Sequence, residues 1–272
     1  MIQYLIPFFS AFIISISITP FIIRFSHRYG YVAEPKEDRW HKKPTALLGG
    51  VGIFLSFIIP ALIFVPLNAL TVGVILCATA IFCLGLYDDI REVKPYTKLV
   101  VQIIVTIMII LVGVKVKIIP FAYVAIPLTL FWIVGITNAL NILDNMDGLS
   151  CGITFVASIC ISIYSVQNNL HIVVIFSSIL SGTALGFLIF NFYPAKIFMG
   201  DCGSLFLGFL LSITTILGTW QEATNLLFVL VFPLFILVIP IFDTTLVTFY
   251  RRSSGRSISQ GGKDHSSHRL VF

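Results

Sequence analysis

Four stretches of this sequence carry side chains able to handle charged oxygens. They are "CLGLYDDIREVKPYTKLVVQ" with Asp88 and Asp89, "NALNILDNMDGL" with Asn138, Asn141, Asp144 and Asp147, "NFYPAKIFMGDCGSLFLG" with Asp201, and "GRSISQGGKDHSSHRL" with His265, His268 and Arg269. Neighbouring carboxylates on a helix point about 100° apart, so Asp88 and Asp89 are not expected to serve one cation equally. The expectation is a division of labour, in which one faces a divalent cation or a reacting phosphate and the other accepts hydrogen bonds or bonds a base. A merely solvated helix end shared with Arg91 and Lys94 explains the pair equally well.

In the second stretch Asn138, Asn141, Asp144 and Asp147 recur every third residue, which on a continuous helix makes one polar ridge facing a pocket. A helix C-terminus closed by Gly148, with turn-forming Asn and Asp, accounts for one or two of them and not for four in register. Asp201 falls where an apolar run begins, a place that suits an anion at helix amides or a simple N-cap. Phe198 offers a ring on which a nucleobase can stack, although with 25 Phe in the chain a packing role is the default. Arg251, Arg252, Arg256, Lys263, His265, His268 and Arg269 suit phosphate oxygens, or an anionic lipid surface, and Gly261 and Gly262 favour a shaped loop. Loop 26 to 45 adds Arg39, His41, Lys42 and Lys43 before the turn-forming "LGG".

These residues must be positioned by apolar elements. The chain of 272 residues is 58% hydrophobic and 11% charged, with mean hydropathy +1.02, which excludes an ordinary soluble domain. A membrane span takes about 20 apolar residues as helix. Nine runs fit, near 2 to 25, 46 to 66, 69 to 87, 98 to 114, 118 to 137, 150 to 167, 170 to 190, 203 to 220 and 224 to 249. The expected fold is therefore all-α, a polytopic helical bundle of about nine transmembrane helices. The first run has no charged region before it, is too long for a signal-peptide core and lacks a small-residue cleavage site, so it is read as a retained span. Cys77, Cys83, Cys151, Cys160 and Cys202 form no CxxC pair and read as packing residues.

Alternating the nine spans places only Lys115 and Lys117, of 17 basic residues, on the short-turn side. The positive-inside rule then makes the other face cytoplasmic and the N-terminus external, with the C-terminus cytoplasmic. Acids need not obey that rule, yet of 12 only Glu222 falls outside. Carboxylates this close to the lipid boundary are costly unless paired, hydrated or metal-bound, so together they point to a site. The net charge of +5 follows from basic cytoplasmic loops and calls for no nucleic acid. Carboxylates beside bases fit Mg²⁺-assisted phosphoryl transfer, where metal and cations neutralise pyrophosphate oxygens.

In their order, "AEPKEDRWHKKPTALLGG", "GLYDDIREVKPYTKLVVQ", "NALNILDNMDGLSCG", "NFYPAKIFMGDCGSLFLG" and "GKDHSSHRL" resemble the cytoplasmic motifs of the polyprenyl-phosphate N-acetylhexosamine-1-phosphate transferases. That family includes the phospho-N-acetylmuramoyl-pentapeptide transferase. The resemblance covers residues 33 to 270 and implies transfer of a sugar 1-phosphate from a UDP-sugar to polyprenyl phosphate, releasing UMP. It implies that Asp88 and Asp89 act catalytically with Lys98, His265 and His268. It likewise implies that Asp201 holds Mg²⁺, with Mn²⁺ an alternative. Asn141, Asp144, Asp147, Asn191, Phe198, Arg269 and Lys43 become expected substrate-binding residues, Phe198 by stacking on uracil.

Two histidines spaced by serines, where the muramoyl-pentapeptide enzymes carry three in a run, resemble the branch that uses UDP-N-acetylglucosamine. The expected substrates are therefore UDP-N-acetylglucosamine and undecaprenyl phosphate, in the initiating step of an envelope polymer such as teichoic acid or O-antigen. The expected setting is the bacterial plasma membrane, with the site facing the cytoplasm, lipid as neighbour and a homodimer left open. Family members continue with at least one more membrane helix beyond the histidine motif, so residues 1 to 272 are expected to form one catalytic domain lacking the last helix or helices. Alternatives are a muramoyl-pentapeptide or other UDP-N-acetylhexosamine donor, an inactive lipid-binding homologue, and an ion-coupled transporter. A transporter would place its carboxylates near the midplane and show inverted repeats.

Overall fold

The computed structural model describes residues 2–33, 44–117 and 119–219. Within them lie eight helices: α1 (Ile2–Tyr29), α2 (Gly49–Phe64), α3 (Ala69–Arg91), α4 (Pro95–Val112), α5 (Ala122–Leu143), α6 (Leu149–Gln167), α7 (His171–Asn191) and α8 (Gly200–Thr219). Seven of them, all but α2, are long and apolar enough to cross a bilayer. Eight of the nine expected apolar runs thus correspond to helices, and the ninth, 224 to 249, lies outside the described residues. The all-helical expectation needs one addition: β1 (Val32–Ala33) pairs antiparallel with β2 (Thr45–Ala46) between α1 and α2.

Local chemistry sets the helix ends. Asn68 caps α3 through a reciprocal pair, its Oδ1 accepting from Thr71 N at 3.0 Å while Thr71 Oγ1 accepts from Asn68 N at 2.9 Å. Pro95 opens α4, and Gly113, with φ 114°, closes it. Inside the bundle, hydroxyls return their hydrogen bonds to the preceding helical turn, as Thr19 to Ser15 O, Thr106 to Gln102 O and Thr137 to Ile133 O. Such bonding leaves few buried polar groups unpaired where water is scarce.

The organising element is α8. Its residues from Cys202 to Gly218 are all buried, enclosed by α2, α3, α5, α6 and α7. Small residues permit this enclosure. A Cβ on Gly208 would stand 2.8 Å from Thr137 Cα of α5, and one on Gly85 of α3 would stand 2.5 Å from Cys202 Cα and 2.6 Å from Asp201 O. Trp132 of α5 donates from Nε1 to Thr215 Oγ1 of α8 at 2.9 Å, well away from α8's first turn. On the far side α1 lies along α7, where Ser15 Oγ donates to Thr183 O at 3.1 Å.

One end of the bundle is tied by loops. Gly49 N and Gly50 N donate to Phe198 O and Met199 O at 3.0 and 2.8 Å, and Phe198 N donates to Ala46 O at 2.9 Å. The first amides of α2 are therefore satisfied by the loop that leads into α8. The "LGG" turn binds these two helix starts together, with Leu48 itself left-handed at φ 67°.

Candidate active site

The ends of α3 and α5 and the starts of α4 and α8 converge here. Asp88 Oδ2 accepts from Lys98 Nζ at 2.8 Å, and the same ammonium reaches Asp201 Oδ2 at 2.6 Å. Asp88 Oδ1 also accepts from Val93 N at 2.5 Å, so its carboxylate folds the α3–α4 turn back on itself. Asn141 Nδ2 donates to Asp201 Oδ1 at 3.0 Å and to Ser204 Oγ at 2.8 Å. A single cation thus bridges two carboxylates from different helices. The side chains of Lys98, Asp88 and Asp201 are 20%, 11% and 29% exposed, enough for a ligand to reach them.

Asp89 faces elsewhere. Its Oδ1 accepts from Asp201 N at 2.8 Å and its Oδ2 from Cys202 N at 3.0 Å. The divergence expected of neighbouring helical carboxylates is therefore present, with Asp88 toward α4 and Asp89 toward α8. Asp201 is not an N-cap: it lies in the first turn of α8, and its side chain points to Lys98 and Asn141.

The expected four-residue ridge is only half helical. α5 stops at Leu143, Asp144 terminates it, and Gly148 enters the left-handed region at φ 72° to start α6. Asn138 and Asn141 remain on the helix. Asn138 exchanges amide hydrogen bonds with Gln102 at 2.6 and 3.3 Å. Asp147, on the turn, accepts from Ala195 N at 2.9 Å and so links the α5–α6 turn to the segment before α8. Burial pushes the Asp144 carboxyl well above the usual carboxylate range, and the charges of Asp201, Asp89 and Asp147 push it the same way.

Asn191 was expected to bind substrate, but it is buried and spends both ends of its amide on backbone. Its Oδ1 accepts from Gly148 N at 3.1 Å and its Nδ2 donates to Ile197 O at 2.9 Å. In the structure it straps two turns together. Phe198 lies between the buried Ile197 and Met199 on the loop into α8. Lys43, His265, His268 and Arg269 lie outside the described residues. Gln102 and Ser204 join the site without having been singled out from sequence. Gln102 stands one helical turn after Lys98 on α4, and that i, i+4 spacing from a site lysine was the available signal.

Among the described residues no three His, Cys, Asp or Glu side chains are grouped closely enough to hold a metal ion by themselves. A Mg²⁺ ion would take one or two carboxylates and complete its shell with water and phosphate oxygens. Asp88 and Asp201, turned to a common point, are such a pair. Two carboxylates share one ammonium here, which leaves an excess of negative charge, so an anionic phosphate would be repelled until a further cation joins them.

The glycosyl transferase family 4 model matches residues 71–219, a stretch containing every site contact described above. A Bacillus subtilis (strain 168) protein described as a probable undecaprenyl-phosphate N-acetylglucosaminyl 1-phosphate transferase is 36% identical over 285 residues, covering 100% of this chain and 78% of that one. The decaprenyl-phosphate N-acetylglucosaminephosphotransferase of Mycolicibacterium smegmatis is 31% identical, covering 90% of this chain and 69% of its own length. The phospho-N-acetylmuramoyl-pentapeptide-transferase of Lactobacillus gasseri is 33% identical, covering 75% of this chain and 72% of its own length. With a family match over more than half of its length and relatives aligned across most of it, the chain belongs to glycosyl transferase family 4.

Proposed function

We propose that this membrane protein transfers N-acetylglucosamine 1-phosphate from UDP-N-acetylglucosamine to undecaprenyl phosphate, releasing UMP, at the cytoplasmic face of the bacterial plasma membrane. The observation that carries the reading is the Asp88–Lys98–Asp201 bridge, held by Asn141 at one end of a polytopic bundle. The names of two aligned relatives supply the sugar and the lipid carrier.

An oxygen of the lipid phosphate bonds to the β-phosphorus of the nucleotide sugar. The bond from that phosphorus to the oxygen bridging it to the α-phosphate breaks, and UMP leaves with the bonding pair. Asp88 is aimed at the reacting phosphates, either to orient the lipid phosphate or to form a phospho-enzyme first. Lys98 balances charge on the pyrophosphate oxygens. Asp201 and Asp88 would hold Mg²⁺, which when bound supplies Lewis-acid neutralisation of those oxygens. Asp144 and Asp147 stand on the turn next to this cluster, on the side assigned to the nucleotide. The product starts an envelope polymer of the teichoic acid or O-antigen kind.

The test is direct. Purified protein receives radiolabelled UDP-N-acetylglucosamine, Mg²⁺ and undecaprenyl phosphate, and UMP and labelled lipid are measured. A folded preparation yielding neither product overturns the reading. A parallel arm with UDP-N-acetylmuramoyl-pentapeptide tests the donor carried by the Lactobacillus gasseri relative's name, and preference for it would replace the sugar while keeping the reaction class.

A further inference from the structure

The two neighbouring aspartates at the end of α3 are oriented so differently that they cannot share one role. Both oxygens of Asp89 are occupied by consecutive backbone amides of α8's first turn, Asp201 N at 2.8 Å and Cys202 N at 3.0 Å. Those amides have no partner within their own helix, so a carboxylate from 112 residues earlier in the chain does the work that a local cap usually does. It also places negative charge against the positive end of the α8 dipole.

Two glycines show that the contact is shaped for it. Gly85 precedes Asp89 by one helical turn on the same face of α3, and a Cβ there would press on Asp201 O and on Cys202 Cα and N. Gly200 has φ 67°, and a Cβ there would fall 2.7 and 2.9 Å from the Asp89 oxygens and 3.0 Å from its Cγ. The α3 face formed by Gly85 and Asp89 thus fits the start of α8 as one surface. Asp88, rotated away from it, is left to meet Lys98.

We propose that Asp89 is a positioning residue and not a reacting one. By clamping Asp201 N and Cys202 N it fixes the first turn of α8, and with it the carboxylate that Asp201 presents beside Lys98. Both oxygens of Asp89 are held against the backbone of α8, whereas Asp88 shares the Lys98 ammonium with Asp201, so proton or phosphoryl chemistry falls to Asp88. Asn cannot replace it, because one of its two terminal atoms is itself a donor and would face an N–H group. This assignment rests on the proposed transferase reading only for the word reacting; the clamp is independent of the reaction.

The experiment uses the full chain in nanodiscs and follows amide exchange by mass spectrometry in peptides spanning residues 198 to 206, alongside Mn²⁺ affinity by electron paramagnetic resonance. Asp89→Asn is expected to speed exchange of the first α8 amides by about tenfold and to weaken Mn²⁺ binding by a similar factor, as expected for a lost cap. Gly200→Ala, which pushes the carboxylate aside without removing it, should do the same, and the double variant should be no worse than either alone. Asp88→Asn should leave the exchange unchanged. If Asp89→Asn fails to insert, Gly200→Ala still decides.

Unchanged exchange in Asp89→Asn or in Gly200→Ala overturns the proposal. So does loss of the acid limb of the kcat pH profile in Asp89→Asn, which marks a titrating reactant. Neither the exchange nor the Mn²⁺ readout needs turnover, so a failed transferase assay leaves this result intact and a failed clamp leaves the transferase reading intact.

Discussion

At the scale of single residues, the site depends on one ammonium serving two acids. Lys98→Met leaves Asp88 and Asp201 facing each other without compensation. Because both carboxylates keep some solvent, the expected loss of stability is about 1–3 kcal/mol, below what a fully dry pair would cost. Turnover should fall about 10²–10⁴-fold, as it should in Asp88→Asn, whose insertion and thermal unfolding stay close to wild type; near-normal kcat in Asp88→Asn would remove that residue from the chemistry. Asp144 behaves differently. Its carboxyl titrates above its unfolded value because burial opposes the charge. The favourable state is then fully populated below the unfolded pKa, and stability drains away as pH rises through the higher folded value. Asp144→Asn should therefore raise the unfolding temperature at pH 8, with the gain shrinking as pH is lowered, while the KM for the nucleotide sugar rises. No gain at pH 8 would contradict the burial cost. Keeping an ionisable group where burial opposes its charge suits a group retained for binding.

At the scale of elements, the close approach of α3 and α5 to α8 is set by Gly85 and Gly208. Gly208→Val should force α5 outward and cost about 1–3 kcal/mol or more, read as a lower unfolding temperature with the site residues untouched; an unchanged temperature would mean the interface has slack. This packing also explains what the sequence could and could not reveal. Hydropathy located eight of the helices because lipid-facing and buried surfaces are both apolar, so the signal survives whichever way a helix turns. It placed the end of α3 too early, at residue 87, because Asp88, Asp89 and Arg91 look like loop to a hydropathy scale although they continue the helix. It extended the polar ridge too far, because a three-residue spacing cannot show that the backbone leaves the helix at Leu143. The grouping of Asp88, Asn141 and Asp201 was legible as a shared membrane face. The capping of α8 by Asp89 was not, since no local pattern ties two positions 112 residues apart. The backbone contacts of Asn191 were not legible for a related reason: an amide between an apolar helix and a turn reads the same whether it holds ligand or backbone.

At the scale of the whole molecule, the acids placed in helices, Asp88, Asp89 and Asp201, all sit at one end of the bundle among the described residues, and Lys115 and Lys117 lie at the other. A carboxylate at the midplane, as an ion-coupled carrier would need, does not appear among them. The proposed orientation gives a labelling prediction. A cysteine placed at the exposed Lys115 should react with an impermeant maleimide in intact cells, whereas one at the exposed Lys196 should react only after permeabilisation; the reverse pattern would invert the protein in the membrane. Chelation of divalent cations should abolish turnover, with Mg²⁺ restoring it, because the carboxylate-rich cluster otherwise repels both anionic substrates. The Trp132–Thr215 contact turns the enzyme into its own optical reporter. Trp132 is buried and bonded to α8, and with the chain's other two tryptophans, Trp40 and Trp220, which lie outside the described residues, changed to Phe, its emission senses the local surroundings of that helix. Any rotation or sliding of α8 as nucleotide sugar and lipid phosphate arrive would alter the indole hydrogen bond and shift its colour, giving a stopped-flow signal for substrate engagement that requires no label and no product.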